Sequence, residues 1–261
     1  MWYRYWGLGG EPFREGGGPF VGTGGFGEAL ARVKGGISGG ERLVVVRGEA
    51  GCGKTVLLAR AMVEMRGAWR RFARVSGALD GAGLFGGLAA GLGVSVAGNA
   101  SRAEAWKGLG EAVRLCRWQK IQVVLVVDDC EEMADDEERR DLERLVGVDP
   151  NPETRLTVVR AFRAGGSGAW GLEVRLLPMT RSETGRYVLE KLEGVGRGEE
   201  LFTAGGISRL YEMSGGVPRL VDRVGALALM AGAARGDERV GAEVVEGVAR
   251  ECGLPWRVFA A

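Results

Sequence analysis

One segment limits the possible fold of this chain more than any other. It is RLVVVRGEAGCGKTVLLARAM, residues 42–62, which passes from a β-branched run through a glycine-rich turn into apolar residues at helical spacing. The segment predicts a strand, a tight loop and a helix in direct succession.

Other short apolar runs predict further strands, separated from one another by helical or loop-like sequence. They lie at residues 72–75, 121–127, 156–162 and 174–177. Continuous apolar runs are typical of parallel strands that are buried on both faces. We therefore predict an α/β fold in which helices cover both faces of a parallel sheet.

The character of the sequence changes after Pro178. Beyond it no strand-like run occurs, and Thr180 with Glu183 matches a helix-capping box. Helices are predicted at about residues 180–195, 201–213, 218–234 and 240–252. We predict an α/β domain over residues 1–178, including an aromatic N-terminal segment, and a small all-helical domain over residues 179–261.

Composition excludes several kinds of site. The chain has no histidine, so Ser-His-Asp catalysis, Cys-His catalysis and a histidine-ligated metal are all excluded. Four cysteines are scattered without a C-x-x-C pair, which favours reduced thiols. The net charge of +1 gives no global reason to expect nucleic acid or a membrane as partner.

The sequence shows no membrane span. Its apolar stretches are shorter than the roughly 20 residues that a spanning helix needs, and the N-terminus lacks the apolar core of a signal peptide. We expect a cytoplasmic protein, which a partner could hold at the inner membrane.

The loop GEAGCGKT matches the phosphate-binding pattern G-x-x-x-x-G-K-T between a predicted strand and a predicted helix. Backbone N–H groups would surround a polyphosphate, Lys54 would reach the β and γ phosphates, and the Thr55 hydroxyl would bind Mg²⁺. A chance match is the alternative, because the chain contains 47 glycines. The predicted nucleotide-binding residues are Gly48, Glu49, Ala50, Gly51, Cys52, Gly53, Lys54, Thr55 and Val56.

The run LVVDDCEE supplies the acids that such a loop requires at the end of a neighbouring strand. Asp128 would hold Mg²⁺, directly or through water, and Asp129 would orient or deprotonate the attacking water. The alternative is a metal cage made by both aspartates together with Glu131 and Glu132.

Four segments, in this order, resemble the AAA+ ATPases of the ExeA type, the general secretion pathway A group. They are YWGLGGEPF, GEAGCGKT, LVVDDCEEM and LYEMSGGVPRLVDRVGALAL, and the resemblance extends from about Trp6 to Cys252. It implies the AAA+ (ASCE) P-loop NTPase fold with a small helical lid. It also implies a homo-oligomer that hydrolyses Mg-ATP to drive lid and subunit movements, and so remodels a protein partner in secretion or envelope assembly.

The resemblance also assigns roles to individual residues. Lys54 and Thr55 become the Walker A pair, and Asp128 becomes the Walker B acid. Arg219 becomes the sensor 2 arginine, which reaches toward the γ phosphate; a surface arginine in the first turn of a helix is the alternative. Arg175 is a candidate finger for a neighbouring subunit's nucleotide, or simply an arginine on a strand edge.

Two departures from the family pattern bear on hydrolysis. The family usually has Asp-Glu where this chain has Asp128-Asp129, and the side chain of Asp129 is shorter by one methylene. Slow hydrolysis is therefore expected. The strand at residues 156–162 should end in a polar sensor 1 residue, but Arg160 and Arg163 are the charged choices nearby and neither can be assigned that role.

Two alternative functions stay open. One is a slow nucleotide-dependent switch that binds ATP and barely hydrolyses it, as Asp129 suggests. The other is a DNA-associated ATPase of the transposition-helper or replication-initiator kind, for which WRRFAR, residues 69–74, is a modest basic cluster. The aromatic YRYWGL, residues 3–8, either packs beside the adenine or caps the helical domain.

Overall fold

The computed structural model describes residues 1–14, 21–76, 79–130, 136–163, 171–197 and 201–251. Contacts divide the chain into two compact units. The first, here called the sheet unit, comprises residues 28–48 and 54–176. The second, here called the helical unit, comprises residues 1–27, 49–53 and 177–261.

Five parallel strands form one sheet in the described part of the sheet unit. They are β1 Leu43–Gly48, β2 Arg70–Ser76, β3 Gln122–Asp128, β4 Leu156–Phe162 and β5 Leu172–Leu176. Their order across the sheet is β2-β3-β4-β1-β5. Every residue of β1 and β3 is buried, as their continuous apolar sequences predict. The predicted α/β fold with a parallel sheet is confirmed.

Helices lie before, between and after the strands along the described chain. They are α1 Gly24–Gly39, α2 Lys54–Glu64, α3 Gly81–Gly91, α4 Arg102–Trp118, α5 Asp136–Leu145, α6 Arg181–Glu193, α7 Ala204–Ser214, α8 Pro218–Arg235 and α9 Ala242–Glu251. None of the described helices is both long enough and apolar enough to cross a membrane.

The main apolar cluster of the sheet unit lies on one face of the sheet. Val123, Leu125 and Val127 of β3 pack there with residues of α3 and α4. Successive side chains of a strand point to opposite faces. Asp128 therefore lies on the other face, and α2 contacts both β1 and β3.

The described helical unit consists of helices and one parallel bridge between Phe202 and Val240. The predicted capping box opens α6: the Thr180 hydroxyl accepts from the Glu183 backbone N–H at 3.2 Å, and the Glu183 carboxylate accepts from the Thr180 N–H at 2.9 Å. The helix predicted from residue 201 instead begins at Ala204, because the Thr203 hydroxyl caps it.

The N-terminal aromatic segment packs inside the helical unit. Trp6 is 2% exposed, and its Nε1–H donates to the carbonyl of Leu229 in α8 at 2.9 Å. This contact agrees with the alternative in which the segment caps the helical domain. Contacts group this segment with the helices, and the predicted domain limit near residue 178 stays a prediction.

Three cysteines are described, and each is buried and not part of a disulfide: Cys52, Cys116 and Cys130. Burial raises the pKa of the Cys116 thiol above its usual range. Cys252 lies outside the described residues. The buried thiols agree with the expectation of reduced cysteines.

Candidate nucleotide-binding site

The predicted phosphate loop follows the carboxyl end of β1, and α2 begins at Lys54. Lys54 is 7% exposed, and its Nζ donates to the Gly48 carbonyl at 2.9 Å. The exposed Thr55 is the second residue of α2, and the first turn of the helix contains no acidic residue. A helix N-terminus with no carboxylate in its own first turn favours an anion, because its free N–H groups carry partial positive charge.

Gly51 brings the phosphate loop against the start of α8 within the helical unit. Its φ of +87° is a left-handed conformation that glycine adopts without strain. A Cβ atom at this position would lie 2.9 Å from the Cβ and 3.5 Å from the Cδ of Arg219. The backbone N–H of Arg219 also donates to the Gly51 carbonyl at 3.3 Å. The candidate sensor 2 arginine therefore runs along the phosphate loop.

The acidic pair lies at the carboxyl end of β3. Asp128 is 2% exposed, whereas Asp129 is partly exposed and has a φ of +50°. The backbone N–H of Asp129 donates to Asp128 Oδ1 at 3.1 Å. Asp128 and the Thr55 hydroxyl supply hard oxygen donors of the kind that Mg²⁺ prefers, so the residues fit the metal that the resemblance implies.

Arg74 is a member of this site that the sequence reasoning missed. One of its terminal nitrogens donates to Asp128 Oδ2 at 2.8 Å. The register pairs Ser76 with Asp128, so Arg74, two residues earlier on β2, shares a face with the acid. The sequence predicted both strands, but only the register of β2 against β3 shows that Arg74 lies next to Asp128.

The basic cluster at residues 69–74 is engaged in internal contacts. Arg70 is buried: its Nε donates to Gln122 Oε1 at 2.7 Å, and its guanidinium stacks over the ring of Trp69. Arg71 donates to the Leu92 carbonyl at 3.1 Å, and Arg74 binds Asp128. All three arginines therefore have partners within the sheet unit.

The candidates near the sensor 1 position differ in their surroundings. Arg160 lies within β4, is 5% exposed, and donates to the Leu142 carbonyl, while its Nε has no hydrogen-bond partner among the described residues. Burial lowers the pKa of this guanidinium. Arg160 pairs in register with Val127, and its alternation in β4 places it on the face with the apolar cluster. Arg163 is exposed just beyond β4.

Arg175 lies on β5, at one edge of the sheet. Its side chain is 74% exposed, and its Nε donates to Glu173 Oε1 at 2.8 Å. This hydrogen bond is the main reason why the pKa of Glu173 lies below its usual range. An exposed edge position suits a residue that acts on another subunit, although it suits an ordinary surface ion pair equally well.

The four-acid metal cage stays a prediction. The described residues contain no group of three potential metal-binding side chains, but two of the four acids are not among them. Glu131 and Glu132 lie outside the described residues. Among the described residues, Arg74 is the cation that pairs with Asp128.

Together, the strand order with β4 between β1 and β3, the loop before α2 and the acid that ends β3 define the fold of the AAA+ P-loop NTPases. Solved structures share this fold. Cdc6p from Pyrobaculum aerophilum matches with a TM-score of 0.70 and 17% identity, over 92% of this chain and 70% of that chain. A DNA-bound ORC structure from Drosophila matches with a TM-score of 0.71 and 15% identity, over 94% and 65% of the two chains.

The RuvB Holliday junction branch migration motor of Thermotoga maritima is also similar, with a TM-score of 0.56 and 16% identity over 89% of this chain and 70% of that chain. Comparison with protein-family models and with curated protein sequences finds no match. At these identities the likeness shows the fold alone. The narrower resemblance to ExeA-type proteins stays a prediction.

Proposed function

We propose that the protein is an ATPase that binds Mg-ATP at the loop of residues 48–56 and uses hydrolysis to remodel a protein partner. The observation that carries this proposal is the contact between Arg219 and Gly51. The side chain of Arg219 is exposed, and its Cβ and Cδ lie beside the loop where phosphates would bind, which supports a role toward the nucleotide.

The roles of the other residues follow from their positions. Lys54 and the N–H groups at the start of α2 would hold the phosphates, and Asp129 would orient the attacking water. Thr55 and Asp128 would hold Mg²⁺, which when bound neutralises charge on the β and γ phosphates. Arg219 would supply further positive charge toward the γ phosphate as hydrolysis proceeds.

The test measures ATP affinity and turnover in the purified protein beside single variants. Lys54→Ala should weaken ATP binding at least about tenfold, because it removes the charge inside the loop. Arg219→Ala should lower turnover about 100-fold and affect binding much less. Arg223→Ala is the matched control, an exposed arginine one turn later in α8, and should leave both unchanged. Unchanged ATP binding in Lys54→Ala would show that the loop assignment is wrong.

A slow nucleotide-dependent switch is the second candidate, and Asp129 is the observation that favours it. The same measurement separates the two. Tight ATP binding by the parent protein without turnover, in the presence of Mg²⁺, would establish the switch and defeat the ATPase proposal.

A third candidate is a DNA-associated ATPase. Two of the similar structures are a DNA-bound ORC and a branch migration motor, so the turnover assay includes an arm with duplex DNA. We expect no stimulation, because the arginines at residues 69–74 already have internal partners. Strong stimulation would favour this candidate over a secretion or envelope role.

A further inference from the structure

The carboxylate of Asp128 has a partner on each of its oxygens. Oδ2 accepts from Arg74 at 2.8 Å, and Oδ1 accepts from the backbone N–H of Asp129 at 3.1 Å. The acid is 2% exposed, and an ionised carboxylate at that depth is costly unless it is paired and hydrogen-bonded. Arg74 therefore supplies the positive charge that makes burial of Asp128 tolerable.

Arg74 is held on the same face as Asp128 by the strand register. β2 and β3 pair in parallel from Arg70 with Gln122 to Ser76 with Asp128, so the backbone fixes the approach of the guanidinium. The Arg74 side chain is 34% exposed, which leaves a path for its cationic end toward solvent. The arginine can thus leave the acid without unfolding the strand.

Mg²⁺ and a guanidinium compete for the same carboxylate oxygen. Mg²⁺ needs oxygen ligands, and a second cation bound to the same oxygen both occupies a lone pair and repels the metal. Arg74 is covalently tethered beside Asp128, so it is present there at every Mg²⁺ concentration. Metal binding at Asp128 must therefore compete with Arg74.

We propose that Arg74 is a built-in counter-ion that occupies Asp128 before the metal binds, and that Mg²⁺ must displace it from Oδ2. Arg74 would then set the Mg²⁺ concentration at which the nucleotide site becomes complete. The inference rests on the proposed function, since it assumes that Asp128 is the acid that meets the metal.

The experiment compares the parent protein with Arg74→Gln, Arg74→Lys and the matched control Arg71→Gln. Residue 71 is on the same strand, but its side chain points to the opposite face and donates to Leu92. Two quantities are measured across a Mg²⁺ titration: binding of a fluorescent ATP analogue, and the midpoint of thermal unfolding without any nucleotide. A reference measurement in EDTA gives the metal-free affinity for the analogue.

In Arg74→Gln, the Mg²⁺ concentration that gives half of the Mg²⁺-dependent binding of the analogue should fall about tenfold. The affinity for the analogue in EDTA should not change. The metal-free variant should unfold at a lower temperature than the parent, and Mg²⁺ should restore more of its stability. Arg74→Lys, which retains a charge but loses the planar fork, should lie between the two. Arg71→Gln should titrate like the parent, and adding Arg74→Gln to Asp128→Asn should cause no further change in Mg²⁺ dependence.

Equal Mg²⁺ concentrations at half-saturation in the parent, Arg74→Gln and Arg74→Lys would overturn the inference and make the ion pair purely structural. Weaker Mg²⁺ binding in Arg74→Gln would overturn it as well, because Arg74 would then support the metal. If the parent bound no nucleotide, the proposed function would fail. The rise in the unfolding midpoint caused by Mg²⁺ alone would still show whether Arg74 competes with the metal. If Arg74→Gln did not fold, the Mg²⁺ titration of Arg74→Lys would decide between the two roles.

Discussion

At the scale of single residues, the backbone gives a reason for the aspartate at position 129. Among the described non-glycine residues, Asp129 and Lys120 have positive φ. Asp and Asn adopt this left-handed conformation more readily than most other residues, because their short polar side chains can hydrogen-bond locally. A glutamate would fit the backbone less well here. The aspartate at position 129 therefore suits the shape of this turn.

Position 129 can be tested with two substitutions. Asp129→Asn keeps the size and the tolerance of positive φ but removes the carboxylate, so turnover should fall about 100-fold while ATP binding stays the same. Asp129→Glu restores the reach of the side chain and should raise turnover, at a cost in stability of about 1 kcal/mol. Steady-state kinetics and thermal unfolding measure these changes. Parent-like turnover in Asp129→Asn would remove this residue from the hydrolytic step.

Gly51 offers a second prediction at the same scale. Gly51→Ala adds a methyl group where φ is +87° and the Arg219 Cβ would lie 2.9 Å away. We expect the variant to lose about 1–3 kcal/mol of unfolding free energy, and to bind ATP more weakly because the loop must shift. Denaturant unfolding and nucleotide titration measure the two effects.

The control for this substitution is Gly35→Ala. Gly35 lies within α1 with no described atom within 4 Å of the added Cβ, so this variant should gain about 0.5–1 kcal/mol. Equal stability changes in the two variants would show that Gly51 is not constrained in the way described.

At the scale of elements, the sequence predicted a helix boundary correctly where the residues that fix it are close together in the chain. The capping box of α6 is such a case, because Thr180 and Glu183 bond to each other across three residues. The start of α7 was missed because Leu201 and Phe202 read as helical apolar residues, whereas the Phe202–Val240 bridge holds this part of the chain extended. That bridge joins positions far apart in the sequence, which no local pattern shows.

The capping box of α6 predicts a pH dependence. Hydrogen bonds, first of all from the Thr180 backbone N–H, hold the pKa of Glu183 below its usual range. A lowered folded-state pKa stabilises the fold above the unfolded pKa of about 4.3, and this contribution is lost as pH falls through the lower folded value. Glu183 is partly exposed, so the effect should stay below about 1 kcal/mol.

Glu183→Gln separates the charge from the hydrogen bond, since glutamine also forms a capping box. The parent should be the more stable of the two at pH 7, and the difference should vanish below about pH 3. Unfolding curves at several pH values measure this difference. A gap that persists at low pH would mean that the charge of Glu183 does not stabilise α6.

At the scale of the whole molecule, the sheet was predictable chiefly from β1 and β3, which are nearly continuous apolar runs, the pattern of parallel strands that are buried on both faces. The loop and Asp128 could be placed for the same reason, since each directly follows such a run. Arg74 could not be predicted, because its partner depends on which strands are neighbours and in which register. The position of the N-terminal segment among the helices likewise depends on the long-range contact of Trp6 with α8.

Assembly into an oligomer is a property of the whole molecule, and substitution of Arg175 tests it. If Arg175 acts on a neighbouring subunit's nucleotide, Arg175→Ala should lower turnover about 100-fold or more and leave ATP affinity unchanged. Mixing Arg175→Ala with Lys54→Ala protein should recover part of the turnover, because some interfaces then combine an intact loop with an intact arginine. Arg186→Ala, an exposed arginine paired within α6, is the control.

Two measurements complete this test. Turnover per subunit should rise with protein concentration if the active form is an oligomer. No recovery on mixing, together with normal turnover in Arg175→Ala alone, would identify Arg175 as an ordinary partner of Glu173.

The position of β4 between β1 and β3 also acts as a spacer. Neighbouring strands lie about 4.8 Å apart, so the strand that leads into the phosphate loop and the strand that ends in Asp128 are about 10 Å apart in the plane of the sheet. If the two strands were neighbours, the acid would lie about 5 Å closer to the loop that carries the lysine. The strand order thus keeps Asp128 and Lys54 apart, and without a ligand each has another partner: Arg74 for Asp128 and the Gly48 carbonyl for Lys54.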